Sequence, residues 1–460
     1  MNYSKIRIIS KVYIFRVLRK IMRLAHFYSI FLETMNNETL LEKCEQLSNE
    51  EIESFQLGQI KVLLQSARNN CSYYDDLFEK HQIDITNPAD FINIPFLDKK
   101  IIRENKDTIK TKNNFDFMYY KMNTGGSTGE PLEFLVSNQI DKVSIHQNYL
   151  WNKMEFIPGE KILSFDGAFI PAKLTKQNIY WKQTSRHELP FGKNSFSSLH
   201  FNKNTYDFYI LAFLKYQPSF LHGYPSFISD FAKLIQDKGV NLIFRIKGVM
   251  LTAETASIEQ IELIEATFSC KVMKQYGNSE ASIFGFSPST DKEYLISPLY
   301  GLTEIIKDNG EHADIGEEGE IVTTSFYNYH HPFIRYKTGD KAIYGGKHKN
   351  FIKLNELRGR EQDIVYSANG IGLPLVGLIF GQHFKAFKNI VKWQIIQKEK
   401  GKIEIVIEKS ESYSQNDENE IIDKIKSNIE LEIAFNYKIE SMVTTKRGKR
   451  PFFMQLINTK

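Results

Sequence analysis

The spacing of apolar residues changes several times along the chain, and each change predicts an element. Ile14, Phe15, Leu18, Ile21, Met22 and Ala25 share one face at helical spacing, while Arg16, Arg19, Lys20 and Arg23 share the other. Glu38–Phe78 keeps a helical period, and Gln139–Met154 reads as a helix carrying His146. Short apolar runs then alternate with helical stretches. Strands are predicted at Glu160–Asp166, Ile246–Leu251 and Cys270–Gln275. Helices are predicted through Phe227–Lys238, with Ser226 placed to cap it, and over Ile258–Phe268. Such alternation predicts an α/β architecture with largely parallel pairing. Gly316–Ser325 reads as a turn feeding a strand. Further on, Lys392–Lys398 and Lys402–Glu408 alternate like strands, and Ser414–Ile433 is polar and then helical.

Composition narrows the class. A chain of 460 residues is long enough for two or three domains. With 42% hydrophobic and 25% charged residues it reads as a soluble globular protein. A net charge of +4 gives no polyanion-binding signature, so no nucleic-acid partner is expected. Cys44, Cys71 and Cys270 are far apart and odd in number, which suits neither a disulfide framework nor a zinc site. A reducing cytoplasm fits best. No apolar run reaches the ~18 residues of a membrane span.

The N-terminal stretch is the exception to this even charge. Met1–His26 carries seven basic residues and no acidic one. Arg16, Arg19 and Lys20 interrupt any apolar signal-peptide core, and no small-residue cleavage site follows. Two readings remain: a helix lying on anionic lipid, or a helix packed on the protein with its basic face in water. The first adds a peripheral contact at the inner face of the cell membrane to an otherwise cytoplasmic localisation.

The densest chemistry lies in Lys121–Phe134, which reads K-M-N-T-G-G-S-T-G-E-P-L-E-F. Gly125, Gly126 and Gly129 let the backbone turn its N–H groups inward, and Thr124, Ser127 and Thr128 add hydroxyl donors. A concave row of donors suits a polyphosphate. The apolar run Pro131–Val136 follows, so the loop is expected to join two strands. It is not the G-x-x-x-x-G-K-[ST] loop that opens a helix. By itself the cluster is equally compatible with a flexible hairpin turn.

Four later segments extend the pattern: Leu251–Glu254 (L-T-A-E), Tyr276–Glu280 (Y-G-N-S-E), Arg335–Asp340 (R-Y-K-T-G-D) and Leu357–Asp363 (L-R-G-R-E-Q-D). Together with T-G-G-S-T-G-E-P they resemble, in order, the motifs of the adenylate-forming superfamily. The branch they resemble most is the phenylacetate–coenzyme A ligase family, and within it the CapK-type proteins of capsular polysaccharide biosynthesis. The resemblance runs from about Gln59 to the C-terminus. It takes in Tyr73-Tyr74 and Ile94–Lys99, which are expected to pack rather than react, and Leu221–Ser226, a turn expected to open a helix.

The resemblance implies roles. Thr124–Gly129 would hold the phosphates of ATP. Ala253, Glu254 and Thr255 would lie beside adenine at the carboxyl end of a strand, where ligands of such sheets sit. Tyr276 would stack on adenine, Gly277 would permit close approach, and Ser279 would donate to a phosphate. Glu280 would hold Mg²⁺, a hard cation that takes carboxylate and phosphate oxygens. Asp340 would accept both ribose hydroxyls. Arg360 matches the hinge arginine, although Gln362 stands where relatives carry an aspartate. Lys449, directly after Gly448, matches the catalytic lysine, with a solvated basic tail as the alternative. Asn369–Pro374 loosely resembles a further family loop. His330 and His331 are adjacent, so their side chains diverge and a structural role is expected. The same is expected of His146.

The implied fold is α/β: a large multi-layer N-terminal adenylation domain plus a small α+β C-terminal domain. The boundaries expected are 1–36 for the basic segment, 37–356 for the large domain, 357–363 for the hinge and 364–460 for the small domain. The implied activity converts a small-molecule carboxylic acid and ATP to an acyl-adenylate. The acyl group then passes to coenzyme A or another thiol or glycan acceptor, in capsule or surface-polysaccharide synthesis. The alternative is a catalytically degenerate homologue acting as a membrane-associated surface-glycan assembly protein.

The interfacial reading of the N-terminal segment makes a prediction. The full-length protein should sediment with anionic liposomes by roughly 1 kcal/mol per engaged Lys or Arg, less so as salt rises. Equal sedimentation of a chain starting near Asn37 would count against it.

Overall fold

The computed structural model describes residues 40–112, 119–123, 132–137, 140–157, 159–183, 194–288, 292–360, 364–370, 372–374, 385–426, 429–444 and 450–457. The helical stretch near the start divides into Leu40–Gln46, Asn49–Asn70 and Ser72–Lys80. Ser48 is the reason for the first break. Its hydroxyl accepts from the Glu51 N–H at 3.2 Å while the Glu51 carboxylate accepts from the Ser48 N–H at 2.8 Å. This reciprocal cap starts a new helix.

Strands β1 (Tyr119–Asn123) and β2 (Glu133–Ser137) pair antiparallel, with Asn123 opposite Glu133. The glycine-rich stretch therefore joins two strands, as expected. Thr124, Gly125, Gly126, Ser127, Thr128 and Gly129 themselves lie outside the described residues.

The large sheet holds β3 (Ile162–Asp166), β4 (Trp181–Gln183), β5 (Asn194–Ser197), β6 (Phe220–Gly223), β7 (Gly248–Leu251), β8 (Lys271–Gly277), β9 (Phe284–Pro288), β10 (Tyr294–Ile296), β11 (Gly301–Ile306), β12 (Glu318–Ser325), β13 (Tyr336–His348) and β14 (Phe351–Arg360). Their order is β11-β12-β13-β14-β10-β9-β8-β7-β6-β3-β5-β4. Pairing is parallel only from β5 through β3, β6 and β7 to β8. The expectation of largely parallel pairing is thus corrected: the other pairs are antiparallel. The cause is the connections. Helices Tyr206–Tyr216, Pro225–Asp237 and Ile258–Phe268 cross between successive parallel strands, whereas among the described residues no helix lies between β8 and β14. Consecutive strands joined by short connections pair by reversing direction, because a parallel pair needs a long crossover.

The parallel strands carry buried apolar side chains packed against those helices, with Phe165, Phe196, Phe213 and Phe231 fully enclosed. β6 ends at Gly223, whose φ is +144°; a Cβ there would lie 2.0 Å from the Phe165 carbonyl oxygen. Only glycine allows the chain to pass so close and turn into the next helix.

The small unit has its own core. β15 (Ile364–Tyr366) pairs with β16 (Gly372–Pro374). β17 (Ile390–Glu399), β18 (Lys402–Lys409), β19 (Glu432–Asn436) and β20 (Phe453–Gln455) form a sheet of order β19-β18-β17-β20. Helix Gln415–Lys426 buries Ile421 and Ile425 against it. That helix stops at Lys426, so Ile433 lies in a strand rather than at the end of the expected helical stretch. The fold is the α/β arrangement of a large sheet domain and a small α+β one.

The segment leading into β13 is anchored by Arg335. It is buried at a φ of +48°, with Nη2 2.9 Å from Glu304 Oε1 and Nε 3.2 Å from Oε2. Nη1 donates to the Ile92 and Ile94 carbonyls, the latter at 3.0 Å, and the guanidinium lies 4.3 Å from the Phe96 ring centre. The Leu97 N–H donates to the Arg335 carbonyl at 3.0 Å. Tyr74 donates to the Pro332 carbonyl at 2.6 Å. Tyr73-Tyr74 and Ile94–Lys99 are packing elements, as expected.

Among the described residues no helix is long and apolar enough to cross a membrane. Removing one partner of a buried ion pair leaves the other charge uncompensated. Glu304→Ala should therefore cost about 3–5 kcal/mol in chemical denaturation. A cost below about 1 kcal/mol would show that the pair does not hold the segment.

Candidate functional site

Two motifs far apart in sequence meet through reciprocal pairs. The Tyr276 hydroxyl, at the end of β8, donates to Asp340 Oδ2 in β13 at 2.7 Å. The Tyr336 hydroxyl, at the start of β13, donates to Glu280 Oε1 at 2.8 Å. Each segment contributes one phenol and one carboxylate, four residues apart. Glu280 and Asp340 are 5% and 8% exposed, so each carboxylate is fixed by its tyrosine donor rather than by bulk water. Tyr336 was missed by sequence reasoning. The signal was its spacing: residues four apart in a strand share a face, so Tyr336 and Asp340 point the same way.

Local backbone bonds set these positions. The Asp340 N–H donates to Thr338 Oγ1 at 3.1 Å, and that hydroxyl donates to the Ile321 carbonyl at 2.8 Å. The turn after Gly277 is closed by Asn278, whose Oδ1 accepts from the Ser282 N–H at 3.0 Å and whose Nδ2 donates to Ser282 Oγ at 2.7 Å. Ser279 is half-buried within this turn. A Cβ at Gly277 would lie 3.2 Å from the Ile283 carbonyl oxygen, a tight fit.

Ala253, Glu254 and Thr255 follow β7 at its carboxyl end, on the same sheet edge as Tyr276. Ala253 has a φ of +70° and is exposed, as is Thr255. Glu254 Oε2 accepts from the Ser226 N–H at 3.1 Å. This corrects the expected cap. The helix begins at Pro225 with Tyr224 as its N-cap, and Ser226 makes no side-chain cap. The Glu254 carboxylate instead sits at the positive end of that helix, a favourable position for an anion.

The β1–β2 hairpin is tied to the same region. The Ser137 N–H donates to Asn328 Oδ1 at 3.0 Å, and Asn328 Nδ2 donates to the Leu135 carbonyl at 3.1 Å. Phe134 packs edge-on to Phe333 at 5.3 Å, a few residues before β13. Arg360 lies opposite Asp340 in the β13–β14 pairing, in a strand, and its side chain lies outside the described residues. Lys449 also lies outside them. Its neighbour Arg450 is described: Nη1 lies 2.8 Å from Asp230 Oδ2, on helix Pro225–Asp237. Among the described residues no group of three His, Cys, Asp or Glu could hold a metal. A single buried carboxylate at Glu280 nevertheless suits Mg²⁺, which commonly takes one or two carboxylates together with substrate phosphates and water.

No family model matches the chain. It is 26% identical over 399 residues to Protein CapK of Staphylococcus aureus, covering 84% of this chain and 85% of that protein. It superposes on a 2-hydroxyisobutyryl-CoA ligase in the postadenylation state, in complex with R3-HIB-AMP, with a TM-score of 0.64 and 14% identity over 92% of this chain and 91% of that one. The chain has the fold of the adenylate-forming enzymes. The same ligase in its thioesterification state, with 2-HIB-AMP and CoA, gives 0.53 at 15% identity over 91% of each chain. An acyl acid amido synthetase in complex with 2,4-DB gives 0.56 at 15% identity, over 85% of this chain and 84% of that one.

Within the adenylate-forming fold the histidines pack. His146 contacts Ser297 Oγ at 3.0 Å and meets the rings of Phe284 and Tyr300. His330 Nδ1 is 2.7 Å from Ser137 Oγ, helping to hold the hairpin. His331 stacks on Phe333 at 5.2 Å. Burial, with the Lys110 charge adding to it, pushes the His331 imidazole down to about 4. It is therefore neutral in the fold at neutral pH.

The sign follows from linkage. The unfolded chain binds a proton at His331 near pH 6.5 while the folded chain does not, so stability present above pH 6.5 is lost as pH falls towards 4. His331→Phe should flatten that acid limb by about 3 kcal/mol in denaturation measured across this window. Parallel curves for variant and parent would show that His331 does not titrate abnormally.

Proposed function

We propose that this protein activates a carboxylic acid with ATP as an acyl-adenylate and passes the acyl group to coenzyme A or another acceptor. The observation that carries this is the reciprocal pairing of Tyr276 with Asp340 and of Tyr336 with Glu280. It holds two buried carboxylates beside the carboxyl edge of a parallel sheet, where ligands of such sheets bind. The fold shared with an acyl-CoA ligase and an acyl acid amido synthetase supports it.

In this reading the acid's carboxylate oxygen attacks the α-phosphorus of ATP. The bond between the α-phosphorus and the bridging oxygen breaks, and pyrophosphate leaves with the electron pair. A thiolate or other nucleophile then attacks the acyl carbon and AMP leaves. Asp340 receives the ribose hydroxyls, oriented by the Tyr276 hydroxyl. Ala253, Glu254 and Thr255 line the base, with the ring of Tyr276 beside them, and Gly277 leaves room. Thr124–Gly129 and Ser279 donate to phosphate oxygens, and Lys449 offsets phosphate charge. Glu280, held by Tyr336, would be the ligand for Mg²⁺, which would supply charge compensation at the phosphates. Residues 37–356 form the large domain and 364–460 the small one. Residues 357–363, with Arg360, are the hinge about which they turn between steps. Likeness to Protein CapK supports a setting in surface-polysaccharide synthesis.

Purified protein should exchange labelled pyrophosphate into ATP in a Mg²⁺- and acid-dependent manner. Asp340→Ala should slow both half-reactions by about 1.5–3 kcal/mol, the range for a bond to a charged group. Lys449→Ala should abolish exchange but spare transfer from supplied acyl-adenylate. No exchange over a broad panel of aryl, alkyl and amino acids would overturn the reading.

A further inference from the structure

Between the two units lies a charged network that no step above uses. Four residues of the large unit face it: Phe201, Lys203, Tyr206 and Asp230. Three residues of the small unit meet them: Lys392 on β17, Glu408 on β18 and Arg450. Arg450 Nη1 is 2.8 Å from Asp230 Oδ2. Lys392 Nζ donates to the Tyr206 hydroxyl at 2.9 Å and lies 3.2 Å from Glu408 Oε2. Lys203 Nζ reaches back to Glu408 Oε1 at 3.6 Å. The Lys392 ammonium also stands 5.4 Å from the ring centres of Phe201 and Tyr206.

Burial makes this network selective. Asp230, Lys392 and Glu408 are 8%, 6% and 3% exposed. Charges withdrawn from water cost free energy that their partners must offset. Arg450–Asp230 and Lys392–Tyr206 cross from one unit to the other, so they exist only in this arrangement. When the units separate, water can rehydrate every group, which an apolar seam does not allow without exposing apolar surface. A network of this kind favours one arrangement without making it permanent.

Its position links it to the site. Asp230 is on the helix whose first turn donates to Glu254, and Arg450 follows Lys449 in the chain. The whole chain also superposes better on the postadenylation state of the ligase than on its thioesterification state, with TM-scores of 0.64 and 0.53.

We propose that Asp230 and Tyr206 are positioning residues that capture Arg450 and Lys392. They dock the small unit in the arrangement used for acid activation, and so set the ratio of the two half-reactions. The reference to half-reactions rests on the function proposed above; the docking does not.

The test reverses the charge at one end. Asp230→Arg should undock the small unit, seen as an expanded small-angle X-ray scattering profile of the full chain. Pyrophosphate exchange should fall about tenfold relative to transfer from supplied acyl-adenylate. Asp230→Arg combined with Arg450→Asp restores the pair with its charges exchanged, and should recover both readouts. That recovery separates undocking from misfolding. Tyr206→Phe, which removes only the hydroxyl contact to Lys392, should shift both readouts in the same direction by less. Unchanged scattering in Asp230→Arg and Tyr206→Phe would overturn the docking. Equal loss of both half-reactions, or no recovery in the double variant, would overturn the positioning role. If the parent shows no exchange with any acid, the function fails while scattering still decides the docking.

Discussion

A carboxylate withdrawn from water must find a donor, and this requirement shapes the centre of the molecule. Glu280 and Asp340 are both nearly enclosed, and each takes a tyrosine hydroxyl from the other's strand segment. The pairs are reciprocal, so neither segment can shift without stranding a charge. β8 and β13 are not neighbours in the sheet; β14, β10 and β9 lie between them. The two side-chain bonds therefore span a part of the sheet where backbone pairing alone would leave their relative placement loose. Arg335 and Glu304 apply the same rule nearby in the chain, fixing the residues just before β13 to the segment Ile92–Leu97.

The sheet divides its work accordingly. Its parallel half ends strands β6, β7 and β8 at one edge, with helix N-termini beside them and Gly223 allowing the tight exit. Its antiparallel half carries Asp340 and Tyr336 to that edge on a long strand. Glu254 joins the two kinds of structure, following β7 while accepting from the first turn of the next helix. The same helix presents Asp230 to the small unit. One helix thus touches the candidate base-binding segment at its start and the small unit at its middle.

Much of this was legible in the sequence. Helix Ile258–Phe268 was readable to the residue, and in the structure Ser257 and Gln260 cap its start. The hairpin flanking the glycine stretch followed from apolar β-type residues beside a turn. The motifs were likewise visible because backbone conformation and chemistry demand particular residues at short spacing. Largely parallel pairing was a misreading, since strand direction depends on which strands become neighbours. The cap at Ser226 failed for a similar reason. A carboxylate 28 residues away, Glu254, supplies the bond there.

By itself, then, the sequence determined the local elements, the two-unit α/β plan and the candidate residues in their order. These depend on spacing, turn chemistry and propensity, which act over a few residues. Only the tertiary structure decided that Tyr276 holds Asp340, that Tyr336 holds Glu280, and that Asp230 meets Arg450. Those pairs join residues from 56 to 64 positions apart within the large unit, and farther still between the two units. Their existence depends on which buried charges packing brings together, and no local pattern encodes that.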